Sequence, residues 1–267
     1  MSGNRPQAKY FPVIKSPMLP PGTFKGRTAF ITGGGTGLGK GMALMLSQLG
    51  AAVAIVGRRQ AVIEETAKEL QGKTGNRVVG LSVDVRSPEA VKQAVDQVEQ
   101  EIGLPSLIVN NAAGNFISPA ERLTPNGWNS IINIVLNGTA NVTLELGKRL
   151  IAKQQGASVL AITTTYTLRG SGFVAPSAAA KSGVQSLVRS LASEWGRYGI
   201  RLNCLAPGPI ETEGAFSRLD PTGSFKEHMY DSLPTGRLGM EEELANLATY
   251  MLSDYSSWMT GEVSKSL

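Results

Sequence analysis

The chain has 267 residues, with 26 lysines and arginines against 21 aspartates and glutamates for a formal net charge of +5. That length is enough to bury one large core, and basic residues interspersed with acidic ones form no block of the kind that holds nucleic acid. One cysteine, Cys204, and one histidine, His228, exclude an internal disulfide, a histidine triad and a His-rich metal site, and no apolar run is long enough to span a bilayer.

The opening segment, 1–26, is rich in proline and carries Arg5, Lys9, Lys15 and Lys25 but no acidic residue. Absence of acid is a property of organelle transit peptides, whereas the prolines oppose a regular amphipathic helix and suit an extended lead-in to the first strand. The apolar run Arg27 to Ile31 predicts that strand, and the stretch from Lys40 to Leu49 predicts a helix after it. Between them lies Thr32-Gly33-Gly34-Gly35-Thr36-Gly37-Leu38-Gly39. Strand, glycine-rich turn and helix in that order make a phosphate cradle: glycine permits the turn and the close approach of a pyrophosphate, and the helix start presents free N–H groups.

A second strand, Ala52 to Gly57, runs into Arg58-Arg59 with no carboxylate at its end. An acid there would accept from a ribose 2′-hydroxyl; guanidinium groups instead match a 2′-phosphate, which favours NADPH over NADH. Further apolar runs occur at Val78 to Val83, Leu107 to Val109, Val159 to Thr163 and Arg201 to Leu205, with amphipathic stretches between them. This alternation predicts an α/β fold with a single doubly wound, Rossmann-like parallel sheet flanked by helices. No repeat, low-complexity tract or interior linker marks a second domain, so residues 27–267 are expected to form one dinucleotide-binding unit.

The spacing Gly33-x-x-x-Gly37-x-Gly39, with Asp84-Val85, Asn110-Asn111-Ala112-Ala113-Gly114 and Pro207-Gly208-Pro209-Ile210, resembles the short-chain dehydrogenase/reductase family from about Thr28 to Val263. The resemblance implies cofactor contacts from Gly33, Gly34, Gly35, Thr36, Gly37, Leu38, Arg58, Asp84, Lys181, Pro207, Gly208, Pro209 and Ile210. Asp84 also reads as a strand-end cap, a role that would mimic contact with an adenine amino group.

The catalytic region departs from the family's majority pattern. The usual Tyr-x-x-x-Lys is Ser177-Ala178-Ala179-Ala180-Lys181, the usual serine is Thr164, and the usual asparagine is Val135. A phenol recurs nearby as Tyr166, expected at the end of the fifth strand, and an amide, Asn115, follows the fourth strand at the same edge. Two neutral donors converging there would bind one carbonyl oxygen gaining negative charge.

Asn115, the displaced Tyr166 and Ser177-x-x-x-Lys181 resemble the mitochondrial-type 2,4-dienoyl-CoA reductases, as do Asn115-Phe116-Ile117-Ser118-Pro119 and Gly214-Ala215-Phe216-Ser217-Arg218-Leu219-Asp220-Pro221. The resemblance implies NADPH-dependent reduction of a trans-2,4-dienoyl-CoA to a trans-3-enoyl-CoA, a mitochondrial location and a homotetramer. It makes Tyr166, Asn115, Lys181 and Ser177 the catalytic set. Arg58, Phe116, Ser118, Thr124 and Arg218 become substrate contacts, with Arg218 on a substrate loop at about 211–235. Ser177 has two readings, contact with substrate or merely space where the usual tyrosine would intrude.

Three readings of function follow: this acyl-CoA reductase, a reductase of another conjugated carbonyl, and a non-catalytic protein that binds or senses NADPH. Cys204 lies in an apolar run and is expected to fill space; His228 is expected on a surface or loop. Trp258 to Val263 leads into a closing strand that is expected to be short and irregular, weakening the sheet edge and any oligomer contact built there. Lys265-Ser266-Leu267 permutes the peroxisomal Ser-Lys-Leu signal without matching it.

Overall fold

A computed structural model describes residues 4–210, 212 and 230–266. Arg218 and His228, with most of the expected substrate loop, lie outside the described residues. Seven strands, β1 (Thr28–Thr32), β2 (Ala52–Gly57), β3 (Val78–Ser82), β4 (Leu107–Asn110), β5 (Ala157–Ile162), β6 (Ile200–Pro207) and β7 (Val263–Ser266), form one sheet in the order β3-β2-β1-β4-β5-β6-β7. Every neighbouring pair is parallel.

Helices α1 (Gly37–Gln48), α2 (Gln60–Thr74), α3 (Pro88–Ile102), α4 (Pro125–Ile132), α5 (Gly138–Ala152), α6 (Ala175–Trp195) and α7 (Glu241–Leu252) cover the sheet. Strand side chains alternate between its faces, so β1 sends Phe30 to one side and Ala29 and Ile31 to the other. Phe30 joins Val95 of α3, Leu146 of α5 and Val188 of α6. Ile31 joins Met42 of α1, Ile63 of α2 and Ala248 of α7. With both faces covered, β1 is buried along its whole length, which is why it reads as a continuous apolar run instead of an alternating one.

Chain order reverses between β1 and β4: β2 and β3 extend to one side, β4 onward to the other. The two loops leaving β1 and β4 therefore diverge and open a crevice at the C-terminal edge, where ligands lie in open parallel sheets. The closing strand corrects one expectation. β7 is short, at 4 residues, yet regular, with consecutive pairings from Cys204–Val263 to Pro207–Ser266.

Ahead of β1 the chain makes a short 3₁₀ turn, Pro6–Tyr10, and then crosses α7. Asn246 of α7 grips it at two points, accepting from Met18 N at 2.8 Å and donating to Ser16 O at 3.0 Å. Phe24 is fully buried among the side chains of α1 and β2. The lead-in is thus tied to the body by hydrogen bonds to its main chain and by two apolar anchors, Leu19 and Phe24, beyond what its proline content foretells.

Candidate active site

The crevice at the β1/β4 switch holds a cleft of about 610 Å³ lined by Gly33, Gly35, Thr36, Gly37, Arg58 and Asp84 among others. Gly33 adopts φ +65°, and a Cβ there would lie 2.9 Å from Asn111 Nδ2. A Cβ on Gly39 would fall 2.2 Å from the carbonyl oxygen of Gly33. Gly33 is therefore required by its left-handed backbone and the Asn111 amide, and Gly39 by close approach of backbone to backbone, as in a loop shaped around an anion.

The start of α1 fits that use. No side chain caps it and its first turn carries no acid. Ser87 caps α3, Thr124 caps α4, and Glu241, Glu242 and Glu243 open α7, whereas α2, α5 and α6 share the uncapped, acid-free start of α1. The N–H groups and positive dipole end of α1 are left for a ligand.

Asn111 fastens this loop to the exit of β4. Its Nδ2 donates to Thr32 O at 3.0 Å and Gly33 O at 3.2 Å, while its backbone N–H and that of Ala112 both donate to Thr32 Oγ1 at 2.9 Å. Asn111 and Thr32 both stand in the motifs read from the sequence, where neither carries a role of its own. Polar residues closing two apolar strands were the available signal.

Other expected cofactor residues divide. Gly34 does not line the cleft; a Cβ there would sit 2.7 Å from Ile55, so its role is packing. Leu38 is half-buried in the apolar layer beneath α1. Gly208, Pro209 and Ile210 line a separate, smaller cavity of about 170 Å³ with Thr235 and Arg237, and Pro207 ends β6 beside them. Thr212 returns to the main cleft.

Arg58 and Arg59 are exposed at the cleft, and neither side chain has an ion pair among the described residues. Asp84 is engaged: Arg86 contacts it from its backbone N–H at 3.0 Å, from Nε at 2.9 Å and from Nη2 at 2.5 Å. Hydrogen bonds from Arg86 chiefly hold this carboxyl below the usual carboxylate range. The backbone contact is a strand-end turn, which realises the capping reading of Asp84.

On the other side of the crevice, Tyr166 does not end β5 as expected. It stands past the strand in the 3₁₀ turn Thr165–Thr167. Its hydroxyl lies 2.6 Å from Ser177 Oγ in the first turn of α6. Ser177 therefore does more than leave space, because its hydroxyl holds the phenol.

One helical turn on, Lys181 is buried and donates from Nζ to Ile162 O at 2.5 Å. Burial pulls its pKa from 10.5 down to about 8, opposed by the neighbouring Cys204. Cys204 itself is buried on β6 and its thiol is pushed up to about 12, so it fills space as expected.

Asn115 is exposed, and its Oδ1 accepts from the following backbone N–H, Phe116 N, at 2.9 Å. Asn115 and Tyr166 share no hydrogen bond, which two donors to one oxygen do not need. The Asn115 NH2 group keeps its donors. Ser118 N donates to Phe173 O at 2.9 Å, which ties the Asn115 loop to the loop after Tyr166. Phe116 packs against the core, and Thr124 is committed as the α4 cap, accepting from Gly127 N at 3.0 Å. In that cap the Thr124 hydroxyl acts as acceptor and keeps its own proton to donate.

Val135 is fully buried in a π-helical turn, Asn133–Asn137, between α4 and α5. Thr164 precedes the Tyr166 turn in extended backbone and offers its carbonyl to Thr167 Oγ1 at 2.9 Å. Neither position supplies a polar group to the Tyr166–Ser177 pair. No cluster of metal-ligating side chains exists among the described residues, and no described helix is long and apolar enough to cross a membrane.

A parallel sheet with a glycine cradle at its switch point, facing a phenol, a hydroxyl and a buried lysine, defines a nicotinamide-dependent oxidoreductase. Residues 33–265 match the family model described as enoyl-(acyl carrier protein) reductase. The chain belongs to the short-chain dehydrogenase/reductase family. It is similar to an uncharacterised oxidoreductase of Caenorhabditis elegans, at 52% identity over 96% of this chain and 82% of that one. It is also similar to a probable 2,4-dienoyl-CoA reductase of the same organism, named as (3E)-enoyl-CoA-producing, at 46% identity over 96% of this chain and 84% of the relative. A crystal structure of a short-chain dehydrogenase from Bacillus anthracis superimposes with a TM-score of 0.83 at 39% identity, covering 91% of this chain and 95% of that one.

Proposed function

We propose that this protein reduces a trans-2,4-dienoyl-CoA to a trans-3-enoyl-CoA with NADPH, in the breakdown of unsaturated fatty acids. The observation that carries the reading is the pairing of Tyr166 with Ser177. Ser177 stands where most of the family has its tyrosine, and Tyr166 reaches the same spot from the turn after β5. A phenol is thereby restored to the site, in a form that accompanies reductases of conjugated thioesters.

The cleft suits the cofactor: glycines where a Cβ would clash, an uncapped helix start, and two exposed arginines where a 2′-phosphate would lie. When bound, NADPH supplies a hydride to the far end of the diene. Electron density then moves toward the thioester oxygen. Tyr166 Oη–H donates to that oxygen, with the Asn115 NH2 as a second donor, and Ser177 holds the phenol in place. Lys181, as the ammonium, favours the negative charge and turns from Ile162 O to the nicotinamide ribose. A proton added at the α-carbon, from an ordered water or from Tyr166 Oη, would leave the 3-enoyl product.

Phe116 and Ser118 are assigned to the substrate path and Arg218 to a coenzyme A phosphate on family resemblance. A mitochondrial location and a homotetramer are proposed on the same ground. Turnover is tested by following nicotinamide absorbance with 2,4-hexadienoyl-CoA, NADH serving as the control. Dienoyl-dependent oxidation of NADPH with a 3-enoyl product supports the reading. NADPH binding without turnover at any chain length would leave a binding or sensing role.

A further inference from the structure

Ser177, Lys181 and Gln185 are spaced by four along α6 and share one buried face. Each grips a successive part of the chain leaving β5. Ser177 takes the Tyr166 hydroxyl, Lys181 takes Ile162 O, and Gln185 Nε2 donates to Thr167 Oγ1 at 2.9 Å and Thr163 Oγ1 at 3.3 Å. The mechanism above uses the first two and leaves the third without a role.

We infer that Gln185 is a positioning residue for Tyr166, acting through Thr167. The inference rests on the reductase reading proposed above. Tyr166 and Thr167 are adjacent in a three-residue turn, a short element with no ladder partner of its own. Its outer end is held by Ser118 N on Phe173 O, well along the loop. Its inner end is held by Gln185. Without that grip, the turn keeps the contact of the Tyr166 hydroxyl with Ser177 and local bonds such as Thr167 Oγ1 to Thr164 O and Gly170 N to Tyr166 O, none of which ties Thr167 itself to α6.

The direction of these bonds is set by their partners. The Thr167 hydroxyl gives its proton to Thr164 O, and the Thr163 hydroxyl gives its proton to Leu205 O. Both oxygens can therefore only accept from Gln185, so the site requires an NH2 donor. A carboxylate of the same shape would set an acceptor against two acceptors and add a buried charge. Gln185→Glu is thus as disruptive as Gln185→Leu, although it differs from glutamine only by one terminal group.

The test compares kcat and the NADPH dissociation constant for Gln185→Leu, Gln185→Glu and Thr167→Val, each alone and on a Tyr166→Phe background. A misplaced reacting group costs up to about 100-fold in rate. The expected result is a fall in kcat of about 10–100-fold for all three single variants, with NADPH affinity unchanged. Gln185→Leu and Thr167→Val combined should fall no further than either alone. On the Tyr166→Phe background, where no phenol remains to be positioned, Gln185→Leu should have no further effect.

An equal loss in both backgrounds, weakened NADPH binding, or unchanged kcat in Gln185→Leu would each overturn the inference. Should the Gln185 variants fail to fold, Thr167→Val carries the same comparison. A wild-type protein with no dienoyl-CoA turnover sinks the proposed function. A wild-type protein that turns over beside insensitive Gln185 variants sinks this inference alone.

Discussion

Tyr166 Oη and Ser177 Oγ are 2.6 Å apart, and each comes from an element the other does not touch in sequence: a turn after β5 and the first turn of α6. A phenol is brought to this place by a residue from another segment, and the serine of Ser177-x-x-x-Lys181 is its partner. This contact gives the site a proton-bearing group whose position is set by packing of α6 on the sheet.

Tyr166→Phe removes the donor and keeps the ring. By analogy with other donors to a developing oxyanion, kcat should fall by about 10²–10³-fold. Affinity for NADPH should stay as it is, since the cleft is lined chiefly from the ends of β1, β2, β3 and β4 and the loops after them, and not by the Tyr166 turn. Ser177→Ala, which frees the phenol without deleting it, should cost less, about tenfold. Steady-state kinetics on the dienoyl-CoA, with a separate fluorescence titration of NADPH, checks both; a Tyr166→Phe protein with wild-type kcat removes the phenol from the mechanism.

Arg58 and Arg59 form the second test. Both are exposed at the cleft beside β2, with no carboxylate there to prefer a ribose hydroxyl. A charge-assisted hydrogen bond to phosphate contributes about 1.5–3 kcal/mol, so Arg58→Ala should weaken NADPH by about 10–100-fold. NADH, lacking the 2′-phosphate, should bind both proteins alike. Equal losses for the two cofactors would mean that Arg58 supports the loop and does not read the phosphate.

The sheet and cradle were legible because each depends on local pattern: apolar runs of strand length, glycines at fixed spacing, and an acid-free helix start. The strand-end arginines were legible for the same reason. What local pattern did not carry was contact between distant segments. Asn111 and Thr32 are joined only because β1 and β4 are neighbours in the sheet, an adjacency that chain order hides. Tyr166 reads as the end of β5 because Thr163, Thr164 and Thr165 extend its β-branched pattern, although the strand stops at Ile162 and only Thr163 still donates its N–H to β6, at Leu205 O. The cap formed by Thr124 and the partner of Ser177 are both invisible to spacing alone, since Ser177-x-x-x-Lys181 reads the same whether the serine is a spacer or meets a distant turn.

Gly39 supplies a test of the cradle that involves no charged group. A methyl there meets Gly33 O at 2.2 Å and Asn111 Nδ2 at 2.6 Å, both parts of the clamp between β1 and β4. Gly39→Ala should lower the melting temperature and abolish measurable NADPH binding. Gly72→Ala, in the exposed reach of α2 where nothing lies within 4 Å, should be neutral or stabilise by up to about 1 kcal/mol. Equal behaviour of the two variants would show that the loop tolerates the methyl by shifting.

Cys204 and Lys181 feel each other's charge, yet the thiol is fully buried and pushed up to about 12. At pH 8 it should resist iodoacetamide in the native protein and react at once in denaturant. Cys204→Ala should leave kcat within about twofold while destabilising the fold through lost packing by about 1 kcal/mol. Rapid alkylation of the native protein would mean that β6 opens.

Lys181 makes the activity depend on pH with a sign that can be worked out. Its pKa falls from 10.5 to about 8 because burial disfavours the ammonium. The ammonium is the form that holds the ribose and favours an oxyanion, so kcat should be level below pH 8 and fall about tenfold per unit above it. Stability should move the other way. The unfolded chain binds this proton more tightly, so as pH rises from about 8 toward 10.5 the native state is relieved of a buried charge and gains on the order of 1–3 kcal/mol from this group. Its bond to Ile162 O, which favours the charged form, makes the lower end of that range the better expectation. Lys181→Met should remove both limbs: the alkaline fall in what activity remains, and the alkaline gain in denaturant midpoint relative to wild type. If the midpoints of wild type and Lys181→Met run parallel between pH 7.5 and pH 10, the lysine is not desolvated as the structure has it, and the alkaline limb of activity belongs to another group.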